Sequence, residues 1–363
     1  MAADRRPDRQ RELRHRLEEL GLDLLLVGHP PNLRYLTGFT GSAGMLLMHR
    51  DRAVLITDSR YAGQAPAEAR GAAEVVVETT NLWERVRRSL GGSGTGRLRF
   101  GFERERVTVR DAERLSGIDR AEAVPTSGLV ESLREVKDET EVAAIEAAAE
   151  LAHGALAEVL PTIRVGDSER EIATRLESSL RRRGTEWHPF QTIVASGARS
   201  ALPHARAGDR AIGAGEWLLL DFGAQLSGYC ADITRTMVLG RADDRQREVY
   251  AVVRESQLRA REGIRPGMTG VQADALAREV IVAGGYGDHF GHSLGHGLGL
   301  EVHEGPRLAV TATEPIPVGA VVTVEPGIYL EGWGGVRLED DLHLGPDGPR
   351  LLTDGRTELL ELH

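Results

Sequence analysis

The sequence has a single cysteine, Cys230, in 363 residues. A disulfide within the chain is therefore excluded, and a reducing compartment is the expected setting. No apolar run approaches the length of a membrane span, so no membrane association is expected. The opening residues, Met1-Ala2-Ala3-Asp4-Arg5-Arg6, lead into charged sequence without an apolar h-region. No secretory signal is expected, and the expected localisation is cytoplasmic. Positive charge is in deficit: 45 Lys and Arg stand against 55 Asp and Glu, a formal charge of −10. That balance disfavours a nucleic-acid-binding surface. What is present fits a soluble globular chain: 41% hydrophobic and 28% charged residues, at a length that accommodates two domains.

The first third alternates between helix and strand. Leu13, Leu17 and Leu20 share a helical face that stops at Gly21. Strands are predicted at Leu24 to Gly28, Met45 to Met48, Ala53 to Thr57, Val75 to Val77 and Leu98 to Phe102. Helical segments are predicted to open at Asp58 and to cover Leu82 to Leu90. This is an α/β pattern. Gly91-Gly92-Ser93-Gly94-Thr95-Gly96 reads as a turn, because it lacks the spacing of a phosphate-cradling loop.

Near Ser132 the character changes to two long helices. The first carries Val142, Ile145, Ala149, Ala152, Leu156 and Leu160 on one face and ends at Pro161; the second runs from Asp167 to Arg183. The boundary is expected between Ser127 and Ser132, giving domains 1–130 and 131–363. The second half contains an internal repeat. Ile163-Arg164-Val165-Gly166 opens a helix that ends near Gly184, ahead of His188. Ile264-Arg265-Pro266-Gly267 opens one that ends near Gly285, ahead of His289. Positions 163 and 264, 184 and 285, and 188 and 289 are each 101 apart. Such a repeat implies two halves related by a pseudo-two-fold, with a site between them.

The chemistry begins at Asp221, which ends the apolar run Trp217 to Leu220. A charge at the end of a buried strand must be paired or hold a metal, although Asp221 is also readable as a simple turn residue. Gly223 and Gly228 are expected to turn the chain, so that a strand from Tyr229 to Val238 brings Asp232 back towards Asp221. Cys230 lies two residues from Asp232 and is expected on the same face of that strand, as a small buried apolar residue. Further on, four glycines occupy the nine residues from Gly291 to Gly299, and His292, His296 and His303 fall within twelve residues. That glycine density disfavours a helix and lets backbone approach a metal or substrate closely. Gly291-His292-Ser293-Leu294-Gly295 also matches the nucleophile elbow of serine hydrolases, but no apolar strand precedes it. Val321 to Val324 is a second apolar strand ending on a carboxylate, Glu325. Arg337 and Glu339 are expected on one face of a later strand, with Arg337 paired to its neighbour Glu339. Asp221, Asp232, Glu325 and Glu339 carry four negative charges, and His296 would be a neutral ligand. Two divalent cations balance that set. An oxygen-rich shell suits manganese, with zinc, cobalt or iron also able to bind.

With these residues in hand, the chain resembles the pita-bread metallopeptidases, in the proline-specific branch that contains aminopeptidase P and prolidase. Asp-Phe-Gly-Ala at Asp221, Asp-Ile-Thr-Arg-Thr at Asp232, His296, Glu-Pro-Gly-Ile-Tyr at Glu325 and Arg-Leu-Glu-Asp at Glu339 look like the family's five metal ligands. Leu133-Arg134-Glu135-Val136-Lys137, leading to Glu141, is similar to the start of its catalytic domain. The resemblance implies an α/β N-terminal domain followed by an α+β pita-bread catalytic domain. It implies substrate contacts at His204, His292, His303 and Arg337. It also implies peptide substrates with proline at the second position and a homodimer. An N-terminal domain of this size favours the proline-specific branch over the methionine aminopeptidases, which share the ligands.

The implied reaction is hydrolysis of the bond before that proline. Glu325 accepts the proton of the attacking water, and His204 and His303 donate to the oxyanion. His292 shapes the proline pocket, and Arg337 orients ligands or substrate. Phe39-Thr40-Gly41-Ser42-Ala43-Gly44 and Thr57-Asp58-Ser59-Arg60-Tyr61 look more like aminopeptidase P than prolidase, so an Xaa-Pro aminopeptidase is expected. The alternative is an Xaa-Pro dipeptidase, which needs a cation for the proline carboxylate; Arg199 and Arg206, flanking His204, are candidates. A metal-free creatinase-like hydrolase or peptide-binding relative is the distant alternative, and the complete ligand set counts against it.

Overall fold

The structure, a computed structural model, describes residues 4–91, 97–353 and 356–363. The turn expected at Gly91 to Gly96 lies, from Gly92 onward, outside them. The chain divides into two compact units, Met1–Arg134 and Glu135–His363.

The first unit is built on a six-stranded mixed sheet. In spatial order its strands are Glu74–Glu78, Ala53–Asp58, Gly44–His49, Leu24–Val27, Leu98–Glu103 and Ala121–Thr126. Leu24–Val27 is buried along its whole length, as expected for a central strand covered on both faces. Asp58 caps a short 3-10 turn at Ser59–Tyr61, accepting from the Arg60 N–H. Asn81 and Thr108 cap the helices Leu82–Leu90 and Val109–Ser116 with their side chains, each satisfying a backbone donor the helix leaves open. The stretches Phe39 to Gly44 and Thr57 to Tyr61 pack on each other. The Phe39 and Tyr61 rings meet edge to face at 5.4 Å, the Ser42 N–H donates to the Tyr61 hydroxyl at 3.1 Å, and the Thr57 hydroxyl donates to Ala43 O at 2.6 Å.

The second unit repeats one theme. The helices Glu139–Val159 and Glu169–Arg183 form one pair, and Asp244–Gly263 and Gly270–Ala283 the other. Ser168 and Thr269, 101 residues apart, each cap the second helix of a pair with a reciprocal capping box. Gly166 and Gly267 take φ of +94° and +87° just ahead of those caps, a left-handed turn that glycine adopts without steric cost.

Each helix pair covers one sheet. Ala152, Ile172 and Leu176 pack with Leu218, Leu220, Phe222, Ile233 and Met237. Ala260, Ala273 and Ala277 pack with Val322, Val324, Leu342 and Leu344. Side chains alternate along a strand, and this alternation places the site. In Trp217–Phe222, Leu218, Leu220 and Phe222 face the helices, which leaves Leu219 and Asp221 on the other face. In Ala320–Val324, Ala320, Val322 and Val324 face the helices, which leaves Val321, Thr323 and the following Glu325 on the other face.

Two sequence expectations change here. Gly223 does not turn the chain; the turn is at Ser227 and Gly228, with φ of +50° and +81°, inside the small hairpin Gln225–Leu226 and Tyr229–Cys230. The predicted strand from Tyr229 to Val238 is split into Tyr229–Cys230 and Ile233–Leu239, so face alternation does not carry across Ala231 and Asp232. Cys230 consequently points into a core of Val142, Ile145, Leu298, Val321 and Leu352, while Asp232 lines the cavity described below. Burial pushes the Cys230 thiol up to about 12, which makes it a poor nucleophile and ligand. Cys230→Ala is expected to lower stability by about 1 kcal/mol and to leave activity and bound metal intact. Chemical unfolding with metal analysis checks this, and loss of metal would contradict the core placement.

Candidate metal centre

A cavity of about 940 Å³ opens in the second unit and is lined by Asp221, Asp232, His296, Glu325 and Glu339. Asp232, His296 and Glu339 each offer a ligand atom, and these atoms lie within 4.8 Å of one another. His296 Nε2 is 3.4 Å from Glu325 Oε1 and 4.0 Å from Asp232 Oδ2. The strand pairing explains the convergence. Asp221 lies opposite Thr234, the Thr234 hydroxyl donates to Glu339 at 2.5 Å, and the Glu339 N–H donates to Thr234 O.

His296 sits on the short strand Gly295–Gly297, where glycine is a steric requirement. A β-carbon at Gly295 would lie 2.1 Å from Thr323 O, and one at Gly297 1.9 Å from Gly305 O. The His296 Nδ1 donates to Gly297 O at 3.0 Å, which leaves the lone pair on Nε2 facing the carboxylates. Burial, and after it His303, pulls His296 down to about 4, so the ring is neutral near pH 7.

The carboxylates show the opposite shift. Asp232 and Glu339 are held well above the usual range, mainly by burial and then by neighbouring carboxylates, Glu339 and Asp221 for Asp232 and Glu325 and Asp221 for Glu339. Burial raises Glu325 to about 8 against the pull of Arg337, and it also raises Asp221, which Arg337 opposes. Asp221 Oδ1 and Asp232 Oδ1 are buried with no hydrogen-bond partner. Orphaned carboxylate oxygens beside a neutral imidazole are the donor set a divalent cation satisfies, so the residues fit a metal centre.

Arg337 is not paired to Glu339 as expected. Its Nη2 pairs with Asp221 Oδ2, Nη1 donates to the Tyr329 hydroxyl at 2.9 Å, and Nε donates to the Thr234 hydroxyl at 3.0 Å. The reason is that the strand Gly334–Arg337 stops before Glu339, and Thr234 fills the space between them. Tyr329, which sequence reasoning left without a role, then fixes His292. The His292 Nδ1 donates to Ser293 O at 2.8 Å. Its Nε2 therefore accepts from the Tyr329 hydroxyl at 2.9 Å, which in turn accepts from Arg337. Both His292 nitrogens are committed.

His204 and His303 are exposed on the cavity wall. The His303 ring stands edge to face with His296 at 4.3 Å. Ser293 lines the same cavity, but no strand precedes it and the strand Gly295–Gly297 follows, so a nucleophile elbow is not formed. Thr234, Tyr329 and Thr323, whose hydroxyl accepts from the His296 N–H at 3.2 Å and donates to Glu325 Oε1 at 3.4 Å, are the site residues missed from sequence. Thr234 lies in the motif of Asp232 and Tyr329 in the motif of Glu325, so the signal was proximity to a ligand.

Comparison with known proteins agrees with this geometry. Residues 143–346 match metallopeptidase family M24, and residues 9–136 match the Creatinase/Prolidase N-terminal domain. The chain belongs to metallopeptidase family M24, and its second unit is the pita-bread catalytic domain. It is 44% identical over 352 residues to the uncharacterized peptidase YqhT of Bacillus subtilis, covering 97% of this chain and 99% of that one. It is 35% identical over 350 residues to the Xaa-Pro dipeptidase of Pyrococcus furiosus, covering 95% and 97%. Among solved structures, the Xaa-Pro dipeptidase from Bacillus anthracis superposes with a TM-score of 0.94 at 41% identity, covering 98% of this chain and 100% of that one. The X-Pro aminopeptidase from Thermotoga maritima superposes at 0.89 and 38%, covering 97% and 99%.

The raised carboxylates set a pH dependence. In the unfolded chain they titrate near ~4. In the folded, metal-free chain they titrate higher, so the folded state holds more protons across that interval and its stability falls as pH rises. Chelated protein is expected to melt progressively earlier from about pH 6.5, above which the depressed His292 and His296 no longer oppose the trend, to about pH 8, and metal-loaded protein is not. Thermal unfolding with and without metal checks this; a chelated protein that gains stability over that window would contradict it. Asp232→Asn is expected to reduce the metal bound per chain, as read by elemental analysis.

Proposed function

We propose that the chain is a two-metal peptidase that cleaves between a first residue and a following proline, with Xaa-Pro dipeptides as its preferred substrates. The observation that carries the reading is the donor set: four carboxylates and one imidazole nitrogen meet at one cavity, with Asp221 Oδ1 and Asp232 Oδ1 unsatisfied. Asp221, Asp232, His296, Glu325 and Glu339 would hold the ions, and manganese suits their mostly oxygen character. Bound there, two divalent ions supply Lewis acidity towards a carbonyl and a lowered pKa for water.

The remaining work falls to side chains. Glu325 is the proton acceptor, because its carboxylate lies on the cavity among the ligand groups, 3.4 Å from His296 Nε2, where the attacking water would stand. His204 and His303 have no hydrogen-bond partner among the described residues and are the donors to the oxyanion. His292 cannot join them, since both its nitrogens are engaged; its ring instead walls the proline pocket. Arg337 acts as an orienting residue, holding Asp221 directly and Glu339 through Thr234. Proline has no N–H, so a site that relies on metal and histidines rather than on that donor suits this bond.

The preference for dipeptides replaces the aminopeptidase expectation. That expectation rested on two N-terminal stretches, which pack on each other. Arg199 is excluded as a carboxylate clamp, because it is engaged by Glu169 and Arg206 O. Arg206 and Arg307 line the cavity, and among the described residues neither guanidinium has a hydrogen-bond or ion-pair partner. Either one suits the free carboxylate that a dipeptide places beyond its proline. The naming of the Pyrococcus furiosus and Bacillus anthracis relatives as Xaa-Pro dipeptidases supports the same reading.

The test is kcat/KM for a dipeptide, a tripeptide and a pentapeptide sharing their first two residues. The dipeptide is expected to be turned over best. Arg206→Met or Arg307→Met is expected to raise its KM about tenfold or more, since the carboxylate loses its partner. Equal or faster turnover of the pentapeptide would return the aminopeptidase reading.

A further inference from the structure

The Leu133-to-Lys137 motif has no part in the reaction described above. Lys137 precedes the helix Glu139–Val159. Its Nζ lies 2.8 Å from Glu304 Oε1, and the two side chains are 1% and 5% exposed. The Lys137 N–H donates to Gly319 O at 3.0 Å, next to the strand Ala320–Val324 that leads to Glu325. Lys137 therefore touches two of the segments that build the cavity.

Glu304 directly follows His303 and lines the cavity. Its backbone pairs with Gly297, beside His296. The loop carrying His303 thus leaves the sheet next to His296 and rejoins it at Glu304. There is little slack around it. A β-carbon on Gly299 would lie 2.4 Å from Glu304 Oε1, and one on Gly305 2.1 Å from Glu135 Oε1. Among the described residues the His303 ring has no hydrogen-bond partner and stands edge to face with His296, so its place depends on its flanking residues. A buried ion pair contributes little net stability, because desolvation offsets attraction. Glu304 Oε2 also accepts from the Glu301 N–H at 3.4 Å, so its carboxylate ties Lys137 to the loop that carries His303. Removing that carboxylate would leave the buried Lys137 ammonium without its ion pair.

We propose that Lys137 is a positioning residue for the reaction: by fixing Glu304, it sets where His303 stands relative to the carboxylate cluster. The inference rests on His303 acting as an oxyanion donor. The experiment places Lys137→Met, Lys137→Arg and Glu304→Gln in the full chain, each with and without His303→Ala. It reads kcat, KM, metal per chain and melting temperature. Lys137→Met and Glu304→Gln are expected to lower kcat about tenfold, with KM changing less than about threefold and metal content unchanged. Lys137→Arg is expected to keep most activity. In the His303→Ala background the same changes are expected to add less than about twofold, because both act on one contact. A tenfold loss in both backgrounds, a loss of bound metal, or an unchanged kcat in Lys137→Met and Glu304→Gln would overturn the proposal. If Lys137→Met does not fold, Glu304→Gln and Lys137→Arg carry the same comparison. If His303→Ala alone leaves kcat/KM unchanged, the donor role of His303 fails, and the inference falls with it for that separate reason.

Discussion

Asp221, Asp232 and Glu339 are buried, and the partly buried Glu325 joins them on one cavity wall, where their charges repel one another. A carboxylate in such a place must find a cation, a proton or a donor. Arg337 answers for Asp221 and Thr234 for Glu339, but neither reaches the orphaned oxygen of Asp232. The deficit is what makes the cavity a place for divalent ions. Burial pulls the two imidazoles beside it, His292 and His296, down to about 4, so neither ring offers the carboxylates a compensating positive charge near pH 7.

The architecture delivers these groups by strand alternation. Two helix pairs cover two sheets, and the sheet faces turned away from the helices carry Asp221 and Glu325. Asp232 and Glu339 sit just outside strands, one before Ile233–Leu239 and one after Gly334–Arg337. Backbone that is free of ladder pairing can aim a side chain where a pleat would not. The repeat gives the two halves similar scaffolds, while the carboxylates they present differ in position and length.

Much of this was legible in sequence because it rests on short-range rules. An apolar run that stops on Asp221 or Glu325 marks a strand with an unusual end. Caps such as Asp58 and the paired glycines of the repeat mark local turns. What could not be read depended on partners distant along the chain. Whether Arg337 meets Glu339 or Asp221 is decided by Thr234, about a hundred residues earlier in the chain. The position of Cys230 depended on a break at Ala231 that no local pattern signals. The two stretches near Phe39 and Tyr61 were visible as a motif, but their packing on each other was not.

The alternation along Trp217–Phe222 and Ala320–Val324 has a consequence for how this domain can change over time. Folding and chemistry are written on opposite sides of the same short segments, at neighbouring positions. Drift at Leu218, Leu220 or Val322 is filtered by whether the chain stays folded, and drift at Asp221, Thr323 or Glu325 by whether it still reacts. The two filters act on separate letters of one word, so a lineage can lose or exchange its chemistry while keeping its scaffold.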